Sequence, residues 1–389
     1  MNKVAVVGYG MIDSLGNNPE DCFAKMLDDT DYSRVVPALE NDPYCDVNRG
    51  GVLDPASLVF DDTFNKKEMR SMTNAQKMML YATEYAMKMS GLPRHEDVAT
   101  LMSTVSNDTE FLEEYYPQVY EQKKGNLRKM VNRIPDMGCY HITDRFGFRG
   151  LSTATFASCA TGIVTLDYGM RLVDEYEYIV AGGADAGCFG MGIKYFTSLQ
   201  ATANKSMPFD DNRQGFMMGD GCGVMILMSE AKVKEYGATV HAWLYPAGHA
   251  SDGVDLTNPE GSGTRKAMRK AVKDMKIDAI CGHATSTPNG DPVEYAACVE
   301  LFGDTPIWAP KSKVGHTLAA AGILESIYSI LTMKHRTLPH IQNLEKCSFD
   351  DKGILVTENQ PLPNKTLRTL NNSFGFGGKC MSQVIEVTG

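Results

Sequence analysis

Apolar residues along the chain fall into short continuous runs and longer stretches spaced at three to four positions. The first run, residues 3–9 (KVAVVGY), is β-rich and closes on Gly8 and Gly10, which predicts a central strand meeting a turn. A helical stretch follows over 66–90, then a polar, charged segment over 105–137 that reads as a surface excursion. Alternation resumes with a candidate strand at 151–157 and a helix at 160–175, where Ile163, Val164, Leu166, Met170 and Val173 lie at near-helical spacing. Residues 177–184 and 222–229 predict buried strands, the second leading into a short helix that ends at Gly237. A second cycle opens with a strand at 239–246, an amphipathic helix at 262–275, and apolar strands at 278–283 and 306–309. It closes on a largely apolar helix at 317–334. No strict repeat is present, but the halves 1–238 and 239–389 both alternate strand with helix, which predicts an α/β fold with mostly parallel sheets.

Composition narrows the function classes. With 389 residues and 43% hydrophobic side chains, the chain is long enough for two packed units or one large α/β domain. The 48 acidic and 38 basic residues leave a net charge of −10, which argues against a diffuse grip on nucleic acid or anionic lipid. Any basic site must be local. The ten cysteines are never closer than 17 positions, so no paired ligands for zinc or an iron cluster exist, and no metal is expected. No apolar stretch approaches the roughly 18 residues of a membrane helix, and the first run reads as a strand rather than a leader. A reducing cytoplasmic location is the expectation.

Four segments carry candidate chemistry. Cys159 sits in FASCATG at a predicted helix start, where unpaired N–H groups favour a thiolate; taken alone, it reads first as a packing group between small residues. In GHATSTPNGDPVE, His283 ends a strand and Thr285 and Thr287 face one way, suiting a polar ligand arm, or the segment is a turn-rich loop. There Asp291 and Glu294 read as functional carboxylates or as a helix-capping pair. In KSKVGHTLAAAG, His316 precedes small residues, and Glu325 is the only charge from Thr317 to Met333. A buried Glu325 requires a partner, for which Lys311 is available; the alternative is a solvent-facing Glu325. In NNSFGFGGKC, Phe374 and Phe376 alternate with glycines that permit close backbone approach, or the segment is a plain hairpin loop. The absence of a GxSxG elbow excludes the α/β-hydrolase reading.

Taken together, these segments resemble the signatures of the elongating β-ketoacyl-acyl carrier protein synthases of type II fatty acid synthesis. The likeness extends through KVAVVGYGMI, MPFDDNRQGFMMGDGCG and GHASDGVDLTNPEGSG, and so spans nearly the whole chain. It implies a thiolase-like α/β fold, with two similar halves in a five-layered α-β-α-β-α arrangement, as a homodimer. It further implies decarboxylative condensation of an acyl primer held on Cys159 with malonyl-acyl carrier protein. His283 and His316 would serve decarboxylation, and Lys311, Glu294 and Glu325 would organise the site. Thr285 and Thr287 would bind the phosphopantetheine arm, with Phe374 beside them, and Phe376 would gate the site and lend its N–H to an oxyanion hole. Two histidines separate this pattern from chain-initiating synthases and thiolases.

The resemblance implies no prosthetic group; substrates arrive on the phosphopantetheine of an acyl carrier protein. That acidic partner needs a local basic patch, for which Lys66, Lys67 and Arg70, at helical spacing, with Arg128 and Lys129, are the candidates; an ordinary solvated helix face is the alternative. Three positions depart from the family pattern. Ala284 stands for glycine after the first histidine, and Lys379 and Cys380 for Thr-Asn after the gating loop. The segment 103–108 also lacks the glycines expected near the acyl pocket. A ketosynthase of polyketide or specialised lipid synthesis is the nearest alternative. A noncatalytic chain-length partner of the same fold is the other, and the presence of Cys159 argues against it.

Overall fold

The structure is a computed structural model that describes residues 3–60, 64, 66–106, 112–113, 116–121 and 126–389. Part of the 103–108 segment, and part of the expected polar excursion, lie outside the described residues. Eleven strands form one mixed sheet: β1 Val4–Asp13, β2 Val98–Ser103, β3 Ser152–Thr153, β4 Tyr178–Ala186, β5 Asp220–Met228, β6 Ala242–Leu244, β7 Gly248–Ser251, β8 Ala279–Cys281, β9 Ile307–Trp308, β10 Leu367–Gly375 and β11 Lys379–Val387. The strand order is β9-β8-β10-β11-β6-β1-β5-β4-β2-β3, with β7 pairing to β11.

Pairing is parallel only towards the two ends, where β2 meets β3 and β4, and β8 meets β9 and β10. The middle is antiparallel throughout, which corrects the expectation of mostly parallel sheets. The cause is burial: these strands are covered on both faces, so their continuous apolar runs look the same as those of a parallel sheet. Between β10 and β11 the chain turns on Gly377 and Gly378, both at positive φ, and so forms a hairpin.

Among the described residues, the six helices of ten or more residues form most of the helical layers: α1 Asn74–Ser90, α2 Met137–Phe146, α3 Thr161–Leu172, α4 Ser262–Val272, α5 Gly290–Phe302 and α6 Ala321–Lys334. Alternate side chains of each strand enter different cores. Val4 and Val6 of β1 and Met225 and Leu227 of β5 join Leu166 of α3 and Ile323 and Ile327 of α6 in a central core, which Leu367 and Ile385 close from the other side. Ala5, Val7, Val224 and Ile226 face outward onto α1 and α2. Ile280, Leu370 and Val384 face α4 and α5. The result is the five-layered α-β-α-β-α stack that the resemblance implies.

Close approach is built into the layers. A Cβ on Gly10 would stand 2.1 Å from the Ala82 carbonyl oxygen of α1. A Cβ on Gly162 of α3 would stand 2.9 Å from both the Ala319 oxygen and the Ile323 nitrogen at the start of α6.

Several expected boundaries move. The 66–90 helix divides into Lys66–Met69 and α1, because Thr73 and Gln76 form a capping box that starts a new helix. The 151–157 strand shrinks to β3, and the 239–246 strand to β6. The helix after Cys159 begins at Thr161 rather than at the cysteine. Residues 317–334 divide into a 3₁₀ turn, Leu318–Ala320, and α6. Every residue from Ala321 to Met333 is buried, Glu325 included, because α6 lies between two sheet faces; this rules out a solvent-facing Glu325.

Candidate active site

Four strand ends and helix starts converge on one cavity of about 380 Å³. Its walls include Cys159, His283, His316, Thr285, Thr287, Glu294, Phe374 and Phe376, residues more than two hundred positions apart in the chain. Lys311 and Glu325 lie behind His283 rather than on the wall. The basic residues Lys66, Lys67, Arg70, Arg128 and Lys129 do not line it.

Cys159 occupies a tight turn just ahead of α3, and Ser158 beside it adopts a left-handed φ of 52°. This strained turn presses against the 374–378 loop: a Cβ on Gly375 would stand 2.7 Å from the Ala157 oxygen and 3.1 Å from the Cys159 nitrogen. The thiol is 9% exposed. Burial pushes it up to about 11, against the opposing Lys311 and the backbone N–H groups of Phe376 and Cys159 itself. The thiolate expected from the helix start is therefore not the resting form, because desolvation exceeds the pull of the helix end. The two N–H groups at the sulfur nonetheless form a pair of donors where negative charge would develop.

Both imidazoles have an assignable tautomer. The Leu318 N–H donates to His316 Nδ1 at 3.3 Å, which places the ring proton on Nε2. That Nε2 is buried and has no partner among the described residues. Lys311 Nζ, a donor, stands 3.5 Å from His283 Nδ1 and assigns the proton there to Nε2 as well. The rings meet edge-to-face, centroids 5.5 Å apart, with Phe374 against His283 and Phe216 against His316. Burial first, and then the nearby Lys311, holds both histidines well below their ordinary value, so both are neutral at pH 7.

The carboxylates divide their work. Glu294 of α5 accepts the N–H groups of His283 and Ala284, each at 2.8 Å, and the Asn372 amide at 3.0 Å. It thereby holds a turn in which Ala284 and Ser286 have φ of 41° and 62°. Glu325 pairs directly with Lys311, and both are buried. Burial pushes the Glu325 carboxyl up against that ammonium. Asp291 is buried too, accepting the Phe209 N–H at 2.7 Å, so it is not a surface cap. Thr285 and Thr287 bring their hydroxyls to 3.2 Å of each other at the cavity wall.

Sequence reasoning missed four contributors. Phe216 lies in a quoted motif but carried no assignment. Asn372 supports Glu294, and Ser158 supplies the strained turn. Asp185 is a lone carboxylate in the apolar run of β4, a signal visible in the sequence. Among the described residues, no group of three or more His, Cys, Asp or Glu is placed to hold a metal ion, and no helix is long and apolar enough to cross a membrane.

Comparison with known proteins identifies the family and the fold. Residues 1–232 match the family described as beta-ketoacyl synthase, N-terminal domain, and residues 241–345 match its C-terminal domain. The chain is 27% identical to a 3-oxoacyl-[acyl-carrier-protein] synthase 2 of Staphylococcus aureus (strain COL), over 97% of this chain and 96% of that one. It is 32% identical to a mitochondrial 3-oxoacyl-[acyl-carrier-protein] synthase of Arabidopsis thaliana over 63% of this chain and 58% of that one. A crystal structure of a beta-ketoacyl synthase from Burkholderia phymatum superimposes with a TM-score of 0.88 at 24% identity, covering 100% of both chains, which speaks for the fold. With the two family matches together spanning most of its length, the chain belongs to the β-ketoacyl synthase family.

Proposed function

We propose that this protein condenses an acyl primer with malonyl-acyl carrier protein, releasing CO2 and β-ketoacyl-acyl carrier protein, as the elongation step of fatty acid synthesis. The observation that carries the reading is the pair of buried imidazoles, each with Nδ1 facing a donor and Nε2 left for a ligand, sharing one cavity with Cys159 and the Phe376 segment.

Cys159 sulfur attacks the primer thioester, whose carbonyl oxygen is held by the N–H groups of Cys159 and Phe376. The carrier thiol leaves and takes the cysteine proton, so the exchange is proton-neutral overall. Malonyl-carrier then binds with its thioester oxygen against the Nε2–H groups of His283 and His316. The C–C bond to its carboxylate breaks, CO2 departs, and the electron pair becomes an enolate held by those two donors. The enolate carbon attacks the Cys159 thioester, and the tetrahedral intermediate collapses by expelling the cysteine thiolate. Removing one such donor typically costs about a hundredfold or more in rate.

Lys311, Glu325 and Glu294 hold the histidines in place, Thr285 and Thr287 receive the pantetheine arm beside Phe374, and Phe376 gates the cavity. No prosthetic group is required. The carrier docks on Lys66, Lys67, Arg70, Arg128 and Lys129; the first four are exposed and the last is half-buried. The enzyme is read as a cytoplasmic homodimer; for the dimer the support is that β3 ends the sheet, paired to β2 on one side and to no strand of the described residues on the other, with Phe156 nearby in the chain 56% exposed. The sequence halves 1–238 and 239–389 supply the cysteine and the histidines, respectively.

Incubation with malonyl-carrier and a ladder of acyl-carrier primers, with products resolved by mass, tests the proposal. Wild type forms an acyl-enzyme and an elongated product. Cys159→Ala forms neither, and His316→Ala keeps self-acylation while losing condensation by about a hundredfold. A persistent acyl-mass shift in Cys159→Ala, or undiminished condensation in His316→Ala, refutes it.

A further inference from the structure

Asp185, the last residue but one of β4, is fully buried, and no cation is bonded to it among the described residues. Its two oxygens are used unequally. Oδ1 accepts the Thr104 hydroxyl at 2.7 Å, the Val105 N–H at 3.0 Å, the Ser106 N–H at 2.8 Å and the Ser106 hydroxyl at 2.6 Å. Oδ2 accepts the Ala319 N–H at 2.7 Å. One carboxylate therefore joins the loop after β2 to the 3₁₀ turn after His316.

That turn needs an anchor. Leu318 has a φ of 49°, a left-handed conformation that a branched side chain adopts only when its surroundings enforce it. The His316 backbone is fixed separately, its N–H to the Met217 oxygen at 2.7 Å and its oxygen to the Gly219 N–H at 3.0 Å. The ring, however, is oriented by the Leu318 N–H on Nδ1, and Leu318 is the residue next to the Asp185–Ala319 bond. The fit is close: a Cβ on Gly183 of β4 would stand 3.0 Å from the Ala319 oxygen.

We infer that Asp185 is a positioning residue for condensation: through Ala319 it holds Leu318 in its strained conformation, and Leu318 fixes the tautomer and direction of the His316 ring. The inference rests on the role of His316 in the reading above. Asp185→Asn separates the two halves of the bridge. The amide oxygen can keep the four donors on the 104–106 side, which leaves the NH2 facing the Ala319 N–H, donor against donor. The turn loosens while the loop stays tied.

The experiment measures three quantities in the full-length enzyme: condensation rate, self-acylation rate, and alkylation of Cys159 by iodoacetamide. Since a displacement of about 1 Å at a reacting group costs up to about a hundredfold, Asp185→Asn is expected to slow condensation at least tenfold per alkylatable site. Self-acylation and alkylation are expected not to fall by more than about threefold, and alkylation can rise because the lost Asp185 charge had opposed ionisation of Cys159; general loss of structure would not give that split. Condensation unchanged, or all three rates falling together, overturns the inference. Should Asp185→Asn fail to fold, replacement of Ala319 by lactic acid deletes the amide N–H, at the cost of a weaker Leu318 carbonyl acceptor to the Ala321 N–H, and must give the same split. His316→Ala in parallel separates the two readings: if it condenses normally the proposed function fails, and if it alone is impaired the role of Asp185 fails.

Discussion

At the scale of residues, the site turns on one buried thiol and two buried imidazoles whose surroundings, supplied by distant segments, set their protonation. Cys159, His283 and His316 were legible because motif spacing survives without knowledge of the fold, and all three line one cavity. The charge state of Cys159 was not legible, because desolvation depends on what surrounds the sulfur, and those neighbours come from distant segments. The thiol, pushed up to about 11, has a consequence that kinetics can check. Alkylation by iodoacetamide in the substrate-free enzyme should climb about tenfold per pH unit from pH 7 to 9, since the thiolate fraction grows by that factor below the pKa. A plateau below pH 8 would contradict this account of the site. The proton positions on both imidazoles were equally invisible in sequence, because they are set by a backbone N–H at Leu318 and an amine at Lys311.

At the scale of elements, long periodic stretches were legible and their joins were not. The helix through Leu166 and Met170, and the one carrying Glu325, appear as expected apart from their first turns. Those first turns are where α3 and α6 meet, and a local pattern carries no trace of such a contact. Gly162 marks it. The extra methyl of Gly162→Ala would meet main-chain atoms of Ala319, Gly322 and Ile323, in the turn before α6 and in its first residues, an overpacking that typically costs about 1–3 kcal/mol. Urea unfolding should show a lower midpoint at unchanged slope. Because Cys159 precedes one helix and His316 the other, condensation should fall as well. A stability change within about 0.5 kcal/mol, the range of an ordinary surface substitution, would mean that the contact yields freely.

At the scale of the whole molecule, a net charge of −10 gives a field that repels an acidic carrier, so recognition must be local and sensitive to salt. Lys67→Glu combined with Arg70→Glu should raise the KM for carrier substrates about tenfold at low ionic strength, with the difference shrinking as salt is added. Equal kinetics at low salt would remove this face from docking. The layered architecture was legible as alternation, whereas strand direction was not, because doubly covered strands have the same apolar signature in either orientation. Strand order has a further consequence. β1 is hydrogen-bonded on one side to β5 and on the other to β6, both synthesised long after it. As the nascent chain leaves the ribosome, its first apolar strand therefore has no edge to join until residues 220–244 emerge, and for that interval it is a sticky, unclaimed segment. Production of this enzyme should accordingly depend on chaperone capacity and on translation speed through its first half.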